Sequence, residues 1–559
     1  MQLCSLLIAL AFGGSEPNAQ PPVERWDERS AEHLLNRAGF GADAREIARA
    51  VELGRERAVA ALFAVDPWLE EPFYARIKAD RERMGSSELL EGAAREERRE
   101  RERMQREDDK QQAADYLEWW IERMLAGENA LAERMTLFWH GHFTSSFQDV
   151  KSSYEMIRQN QLFRRHALGS FRELLHGIAR DPAMLVYLDN ATNRKGKPNE
   201  NFARELLELF TLGVGHYSEE DVREVARAFT GWGVKSGRFR FDAGRHDRDA
   251  KRVLGVEGDL DGDDVLEILL NQEACARHLV RKLVAYFEGV EPSSERVERY
   301  AVLLRESDYE IAPLLQALFL DPAFYREDVL GTRVASPIDF LVGTVRRLGA
   351  RPEGRLVRAG AALLGEKLFY PPSVKGWDGG RSWIFACSPE LPGQMAGILL
   401  GRVRAKDLAR AWRPEFDAED AGDAPGTYAP GDEAEAADGG ARAPQPSEAK
   451  KRKLPSELRA LAHVSARPRL NLTQRVCQRL DVDAVGAASD AAVAGALLET
   501  LLATPAAPEL AQLMGERVAR RRVELEIPER DWLAQDELAE PLLREVAYEI
   551  LSLPEARLH

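Results

Sequence analysis

Residues 201–213 read NFARELLELFTLG, and this stretch decides the class of fold. Four polar side chains, Asn201, Arg204, Glu205 and Glu208, follow one another at spacings of three, one and three residues. On an α-helix this spacing places all four on one face. The residues between them are apolar, so most of the helix surface has to pack against other elements. The sequence therefore predicts a mainly α protein.

Helical periodicity recurs on both sides of this segment. The helices that it predicts are Phe171–Ile178, Phe202–Leu212, Asp221–Thr230, Val265–Leu270, Cys275–Phe287, Ile311–Leu318, Ala491–Leu502 and Pro541–Leu553. Alternating patterns typical of strands are scarce, and Gly237–Phe241 is the best of them. We therefore expect a large multi-helix domain with long irregular loops and at most minor β structure.

Two shorter helices are predicted near the amino terminus. Ser30 is placed to cap the first, which ends at Gly39, and the second spans Ala44 to Leu53 with Gly54 as its stop. Farther along, from Leu117 to Trp139, large apolar side chains recur at helical spacings. That pattern predicts one or two helices with large buried faces.

The length of the chain predicts more than one packed unit, because 559 residues exceed the size at which one hydrophobic core keeps growing. Residues 20–412 form the predicted main helical domain, in which residues 74–116 are a charged helical insert. Residues 413–453 are rich in Ala, Asp, Glu, Gly and Pro, which predicts a flexible linker. Residues 454–559 carry further helical patterns, and we expect this C-terminal segment to pack on the main domain.

The composition limits the classes of function. A net charge of −16 argues against a general nucleic-acid binder, because phosphate contacts need a basic face. No stretch after the leader approaches the ~20 apolar residues of a membrane-spanning helix. The 4 cysteines lie far apart in the sequence, which argues against a zinc-type cysteine cluster and a redox Cys-x-x-Cys motif.

The first 19 residues contain an apolar run from Leu3 to Phe12, as a secretory signal peptide does. Basic residues before the run are missing, and Pro17–Ala19 is a mediocre cleavage site. We expect a periplasmic or secreted protein, with a cytoplasmic location as the alternative if this run is not a signal.

The block Asn199–Trp232 holds the densest candidate site. In one interpretation its polar stripe is only the solvent-facing edge of a buried helix. In the other, the stripe faces a cleft. Glu205 and Glu208 are then metal ligands or acid/base groups, while Arg204 and Asn201 bind substrate, Arg204 through an anionic group.

The second half of this block is interpreted as structural. The chain turns at Gly213 and Gly215 and enters another helix through Ser218, which has Asp221 at capping-box spacing. This short connection predicts that His216 and Tyr217 lie close to the two glutamates of the stripe.

A second candidate is the pair His140 and His142, which flank Gly141. Two side chains separated by one residue point about 200° apart on a helix, so they converge only if the helix ends at Gly141. Converging histidines together with Glu205 and Glu208 would suit a divalent metal such as zinc, iron or manganese. The alternative is a pair of hydrogen-bonded core histidines.

Two irregular segments carry the remaining candidates. In the first, adjacent His246 and Asp247 rarely bond each other, so the partner of His246 should lie elsewhere. His246 is a candidate proton carrier beside Asp247, and Lys251 is a candidate for binding anionic charge. In the second, the Pro and Gly residues of Tyr370–Gly380 predict a specific loop around Trp377. Trp377 is a candidate binding residue, as is Trp232 at the end of the block described above.

Several of these segments together resemble the bacterial domain-of-unknown-function 1800 family. The segments that carry the resemblance are His33–Gly41, Arg134–Phe143, Asn199–Trp232, His246–Asp247, Pro371–Gly380 and Leu551–Glu555. The resemblance extends over nearly the whole chain outside residues 74–116 and the linker. Many members of this family look exported, and the family has no established reaction, so the resemblance implies motif positions and export rather than a mechanism.

Two hypotheses for the function follow. The first is an exported helical enzyme, with or without a divalent metal, that hydrolyses or otherwise acts on an envelope or polymeric substrate through Glu205, Glu208 and His246. The second is a non-catalytic surface or assembly protein, whose polar residues form buried hydrogen-bond networks that lock helices together. No nucleophile elbow, dinucleotide-binding fingerprint or His-Glu-x-x-His motif occurs in the sequence to decide between them.

Overall fold

The computed structural model describes residues 26–64, 95–385, 390–411, 456–462, 470–480 and 488–558. Helices dominate these residues, which confirms the predicted mainly α class. In the first half of the chain the helices are Glu28–Ala38, Ala44–Leu53, Arg55–Phe63, Arg95–Ala126, Ala130–His142, Phe147–Val150, Ser153–Arg165, Phe171–Ala179, Pro182–Tyr187, Asn190–Thr192, Asn201–Glu205, Leu206–Thr211, Glu219–Ala228 and Gly262–Leu270.

The second half of the chain continues in the same manner. Its helices are Glu273–Glu288, Ser294–Glu306, Ile311–Leu320, Pro322–Tyr325, Pro337–Leu348, Gly354–Leu363, Ser382–Phe385, Glu390–Leu399, Ala405–Ala411, Ser456–Ala462, Leu472–Arg479, Asp490–Leu501, Pro508–Glu524, Trp532–Ala534, Asp536–Leu551 and Pro554–Arg557. Among the described helices, none combines the length and the apolar character needed to cross a membrane.

Within the described residues, the β-strands form two antiparallel hairpins. Trp232–Lys235 pairs with Arg238–Phe241, and Lys251–Val253 pairs with Val256–Gly258. The first hairpin confirms the strand predicted at Gly237–Phe241. Its turn is tight because Ser236 and Gly237 both adopt positive φ, of 52° and 68°, as a two-residue hairpin loop requires.

Two hydrophobic cores hold the helices together. The amino-terminal core gathers buried side chains from residues 31–59, 131–188 and 202–325. The carboxy-terminal core gathers them from Phe40 and residues 113–157, 183, 335–408 and 458–556. The helices after residue 456 therefore share one core with residues 335–408. Residues before and after the segment 413–453 thus belong to the same core, so this segment does not separate the two cores in the sequence.

Local signals in the sequence locate several helix ends. Ala44–Leu53 ends at Gly54 as predicted, and its first turn has a capping box from Asp43. The prediction of Ser30 as the first cap is wrong. The cap is Asp27, three residues earlier, whose carboxylate accepts a hydrogen bond from the Ser30 N–H.

The charged segment before Leu117 belongs to a longer helix than the sequence predicts. Arg95–Ala126 is one helix, so its acidic and basic first half and its apolar second half are continuous. Near its end, the Trp120 indole donates to the buried Glu133 carboxylate at 2.9 Å, which ties this helix to Ala130–His142. The predicted leader (residues 1–19), residues 74–94 of the predicted insert and the predicted linker (413–453) lie outside the described residues.

Candidate functional site

The polar stripe of Asn201–Thr211 has the burial that the sequence predicts. Asn201 is exposed, whereas Arg204, Glu205 and Glu208 are half-buried. The side chains between them are buried, with the exception of the half-buried Leu209; the buried ones are Phe202, Ala203, Leu206, Leu207 and Phe210. The stripe is therefore the one polar edge of a helix that is otherwise packed into the amino-terminal core.

The backbone of this segment departs from the predicted single α-helix. Asn201–Glu205 is α-helical, but Leu206–Thr211 is a π-helix, in which each turn contains one more residue. The Thr211 hydroxyl donates to the Leu206 carbonyl at 2.6 Å, and the Leu212 N–H donates to the Leu207 carbonyl at 2.9 Å. Turns of this kind are rare and frequently occur at functional sites.

Three basic side chains bind the free carbonyls at the end of the π-helix. His278 Nε2 lies 3.0 Å from the Leu209 carbonyl oxygen, and Lys282 Nζ lies 3.4 Å from the same atom. His142 Nε2 lies 3.2 Å from the Phe210 carbonyl oxygen. Because the carboxyl end of a helix carries partial negative charge, N–H donors and cations stabilise it there.

Burial decides the protonation of these basic groups. It lowers the pKa of His278 to about 4 and, helped by the nearby Lys282, keeps that imidazole neutral. Burial and the same lysine also lower the pKa of His142. Desolvation lowers the pKa of Lys282 to about 8. His278 and Lys282 were absent from the sequence prediction, although their spacing of four residues places both on one face of the predicted helix Cys275–Phe287.

Glu205 and Glu208 lie together at the polar edge of the π-helical segment. Burial and the neighbouring Glu208 carboxylate raise the pKa of Glu205, and Lys375 partly opposes that effect. The Tyr217 hydroxyl donates to Glu208 Oε2 at 2.8 Å, so the predicted proximity of Tyr217 is confirmed. Burial and this hydrogen bond raise the pKa of Tyr217 to about 12, and the phenol therefore remains a donor.

Arg204 binds other acids. Its guanidinium pairs with Glu219 at 2.8 Å and with Glu200 at 3.4 Å, on the outside of the protein. Glu205 forms no hydrogen bond or ion pair within the described residues, which distinguishes it from Glu208 and from Arg204. A half-buried carboxyl without a partner is costly for folding, and such groups concentrate where function requires them.

The two histidines of the 140–142 pair do not converge. The prediction that Gly141 ends the helix is wrong, since Ala130–His142 continues through it and turns the two imidazoles to different sides. His140 Nε2 accepts a hydrogen bond from the Phe369 N–H at 3.2 Å, while His142 contacts the π-helix. Both are buried in aromatic surroundings, and burial lowers the pKa of His140 to about 4.

His140 anchors the predicted irregular loop at Tyr370–Gly380. Phe369 has a φ of 66°, and its carbonyl accepts the Phe147 N–H at 2.8 Å. The Trp377 ring lies 5.6 Å from the His140 ring, as a packed tryptophan of this loop should. The loop brings the exposed Lys375 within electrostatic range of Glu205.

The segment around His246 forms a separate polar cluster. His246 Nδ1 lies 2.8 Å from the Thr230 carbonyl oxygen, so its partner does lie away from Asp247. Asp247 accepts the Arg227 Nε–H at 2.9 Å and the Asp249 N–H at 3.0 Å. These bonds fasten the loop after the first hairpin to helix Glu219–Ala228.

Trp232 and Lys251, two of the predicted binding residues, both lie in packed surroundings. The Trp232 ring packs against Phe229 and Phe239 at 4.9 and 5.1 Å and carries the Arg180 guanidinium on its face at 4.8 Å. Lys251 is buried, with Asp259 at 3.5 Å as its counter-charge.

A metal site is not found in the part of the chain that the structure describes. No group of three or more His, Cys, Asp and Glu side chains there is placed to hold an ion. His140 and His142 bind backbone groups in separate places, so they do not join Glu205 and Glu208 in a ligand set.

An open cleft lies at the amino-terminal entrance of the Glu205 helix. It has a volume of about 440 Å³ and is lined by Thr192, Arg194, Lys197, Pro198, Asn199 and Glu200. The Asn193 side chain shapes this rim from beneath by accepting the Asn199 N–H at 3.0 Å.

A comparison with protein families finds a match that extends over nearly the whole chain. A family model described as Protein of unknown function (DUF1800) matches residues 33–555. The chain belongs to this family. The matched residues include the π-helical segment, the Tyr370–Gly380 loop and the carboxy-terminal helices, and they contribute to both hydrophobic cores of this chain. Comparison of this DUF1800 protein with curated proteins and with solved structures finds no match.

Proposed function

We propose that this DUF1800 protein is a hydrolase that works by general acid–base catalysis at Glu205 and Glu208. The observation that carries the proposal is the state of Glu205, whose carboxyl is half-buried, lies beside a second carboxylate and has no bonding partner among the described residues. Paired carboxyls in unlike surroundings are suited to exchange protons in opposite directions.

The two carboxyls would have different roles in proton transfer. Because its pKa is raised, Glu205 is the group that donates a proton to the leaving atom of the substrate. Glu208 accepts the Tyr217 hydrogen bond, which holds its carboxylate in place, and it would accept the proton of the attacking water. Lys375, in the loop opposite, would attract an anionic group of the substrate.

We propose an extended polymer of the cell envelope as the substrate class. The open cleft beside the helix supports an extended ligand, and its Arg194 and Lys197 side chains are exposed and basic. Export is supported by the apolar run Leu3–Phe12 of the sequence. Amino-terminal sequencing of the protein from its own cells tests export, with residue 20 as the expected first residue.

The experiment compares Glu205→Gln with Glu220→Gln, an exposed acid in the first turn of the following helix. Purified full chain is incubated with isolated peptidoglycan and with acidic cell-wall polysaccharide, and released fragments are quantified. Glu205→Gln should lower the rate by about 100-fold or more, whereas Glu220→Gln should leave it unchanged.

A second readout does not depend on the substrate. Burial and Glu208 oppose ionisation of Glu205, so this side chain weakens folding increasingly as the pH rises above the pKa of a free glutamate. Glu205→Gln should therefore raise Tm at pH 8 and change it little at pH 4. A fall in Tm at pH 8 would identify Glu205 as a structural residue and would contradict the proposal.

A non-catalytic assembly protein is the second candidate, and the buried ion pairs favour it. Arg134 and Asp339 are both fully buried and bonded to each other, and Arg296 binds Glu288 and Asp321 in the same interior. Such networks stabilise the packing of helices and need not take part in any reaction. If fragments are not released from either polymer and Glu205→Gln lowers Tm, this second function is the one supported.

A further inference from the structure

A small cavity lies among three helices that are far apart in the sequence. It is bordered by Glu32 of helix Glu28–Ala38, by Arg347 of helix Pro337–Leu348, and by Arg475 and Arg479 of helix Leu472–Arg479. Its volume of about 10 Å³ corresponds to roughly one water-sized sphere. Three arginines thus surround a space that holds a single small atom or ion.

Arg347 is the unusual member of this group. It is 4% exposed, and its Nε, Nη1 and Nη2 atoms form no hydrogen bond within the described residues. Burial lowers the pKa of Arg347, because taking a guanidinium out of water disfavours its charged form. Since an arginine remains charged in proteins, an acceptor in the cavity would stabilise it strongly.

The acids around the cavity do not supply that acceptor. Asp43 pairs with Arg475 at 3.4 Å, and Glu28 pairs with Arg479 at 3.6 Å. Glu32 borders the cavity, but no ion pair joins it to Arg347 among the described residues, and burial raises its pKa. Arg347 is therefore left with buried donors and a charge that no neighbouring carboxylate binds directly.

We propose that this cavity binds one halide ion, held by Arg347 with Arg475 and Arg479. A halide accepts several N–H donors at once and balances the charge, whereas a water molecule would satisfy the donors but leave the charge. The volume excludes larger organic anions. The bound ion would join helix Glu28–Ala38 to helix Leu472–Arg479 through Pro337–Leu348, independently of the chemistry at Glu205.

The test measures thermal unfolding of the full chain in sodium bromide and in sodium gluconate at equal ionic strength. Bromide should raise Tm by about 2 °C in a saturable manner relative to gluconate, because a ligand that binds only the folded state stabilises it. Arg347→Met should abolish this difference. Arg402→Met, at a partly exposed arginine paired with Glu545, should retain it.

Each outcome decides the proposal. Equal Tm values for the wild-type chain in the two salts would overturn it, and so would a bromide response that survives in Arg347→Met. If Arg347→Met does not fold, Glu32→Gln provides the test, since removing this carboxylate should lower the half-saturating bromide concentration several-fold. An unchanged or higher half-saturating concentration in Glu32→Gln would overturn the proposal.

Discussion

Asp247 is buried beneath Arg227, and its replacement by asparagine should destabilise the folded protein. Burial opposes ionisation of Asp247, but hydrogen bonds from Arg227 and from the Asp249 N–H outweigh it and lower the pKa to about 2, compared with 3.8 for a free aspartate. At 1.36 kcal/mol for each pH unit, this difference corresponds to about 2.5 kcal/mol at neutral pH. The Asp247 side chain is 10% exposed, so water screens little of this energy.

The contribution of Asp247 to the free energy of unfolding depends on pH in a direction set by its lowered pKa. Because the folded-state pKa of Asp247 is depressed, its contribution is complete above the pKa of the unfolded chain and is lost as the pH falls towards about 2. Urea unfolding should therefore show Asp247→Asn to be about 2 kcal/mol less stable than the wild type at pH 7, with a smaller difference at pH 3.

Asp249→Asn is the matched control for this measurement. The Asp249 side chain is 72% exposed and pairs with Lys195 at 3.2 Å, so its loss should cost less than about 1 kcal/mol. Equal stabilities of the two variants at pH 7 would refute the reasoning. A difference between Asp247→Asn and wild type that does not shrink at acid pH would also refute it.

Two further predictions concern the Tyr370–Gly380 loop and a buried acid. Gly376 has a φ of 80°, and a Cβ there would lie 2.7 Å from the Gly141 carbonyl oxygen, so Gly376→Ala should cost about 2 kcal/mol or more in urea unfolding. Gly379→Ala, at a φ of 70° with open space around it, should cost only about 1 kcal/mol, and equal losses would contradict the predicted clash. Burial raises the pKa of Glu366 from 4.5 to about 7, so the wild type should lose stability as the pH rises from 4.5 to about 7, and Glu366→Gln should be the more stable protein by up to about 3 kcal/mol at pH 9. Tm measured from pH 5 to pH 9 checks this, and parallel curves for the two proteins would disprove it.

Most of the local structure could be predicted because it depends on neighbours in the sequence. Gly54 stops the helix that begins at Ala44, and Ser218 forms the predicted capping box with Asp221. The first cap was misplaced because Ser30 and Asp27 both have capping side chains, and only the backbone path decides which is used.

The candidate site could be predicted only in part. The proximity of Tyr217 to Glu208 followed from a short connection between two helices. His278, Lys282 and Lys375 come to the same helix from distant parts of the chain, and no local pattern pairs them with it. The expected convergence of His140 with His142 failed because helix Ala130–His142 continues through Gly141, where packing of the aromatic neighbours outweighs the low helix propensity of glycine.

The sequence by itself determined that residues 201–213 form a mostly buried helix with one polar stripe. The spacing of polar and apolar residues is a property of the local sequence, so it can be recognised without knowledge of the fold. Only the tertiary structure shows that half of this helix is π-helical and that His142, His278 and Lys282, which are distant in the sequence, bind the carbonyls at its end. It also decided that Tyr217 binds Glu208 while Glu205 has no bonding partner among the described residues, because the short connection brings Tyr217 near both carboxyls and only the three-dimensional arrangement selects one of them.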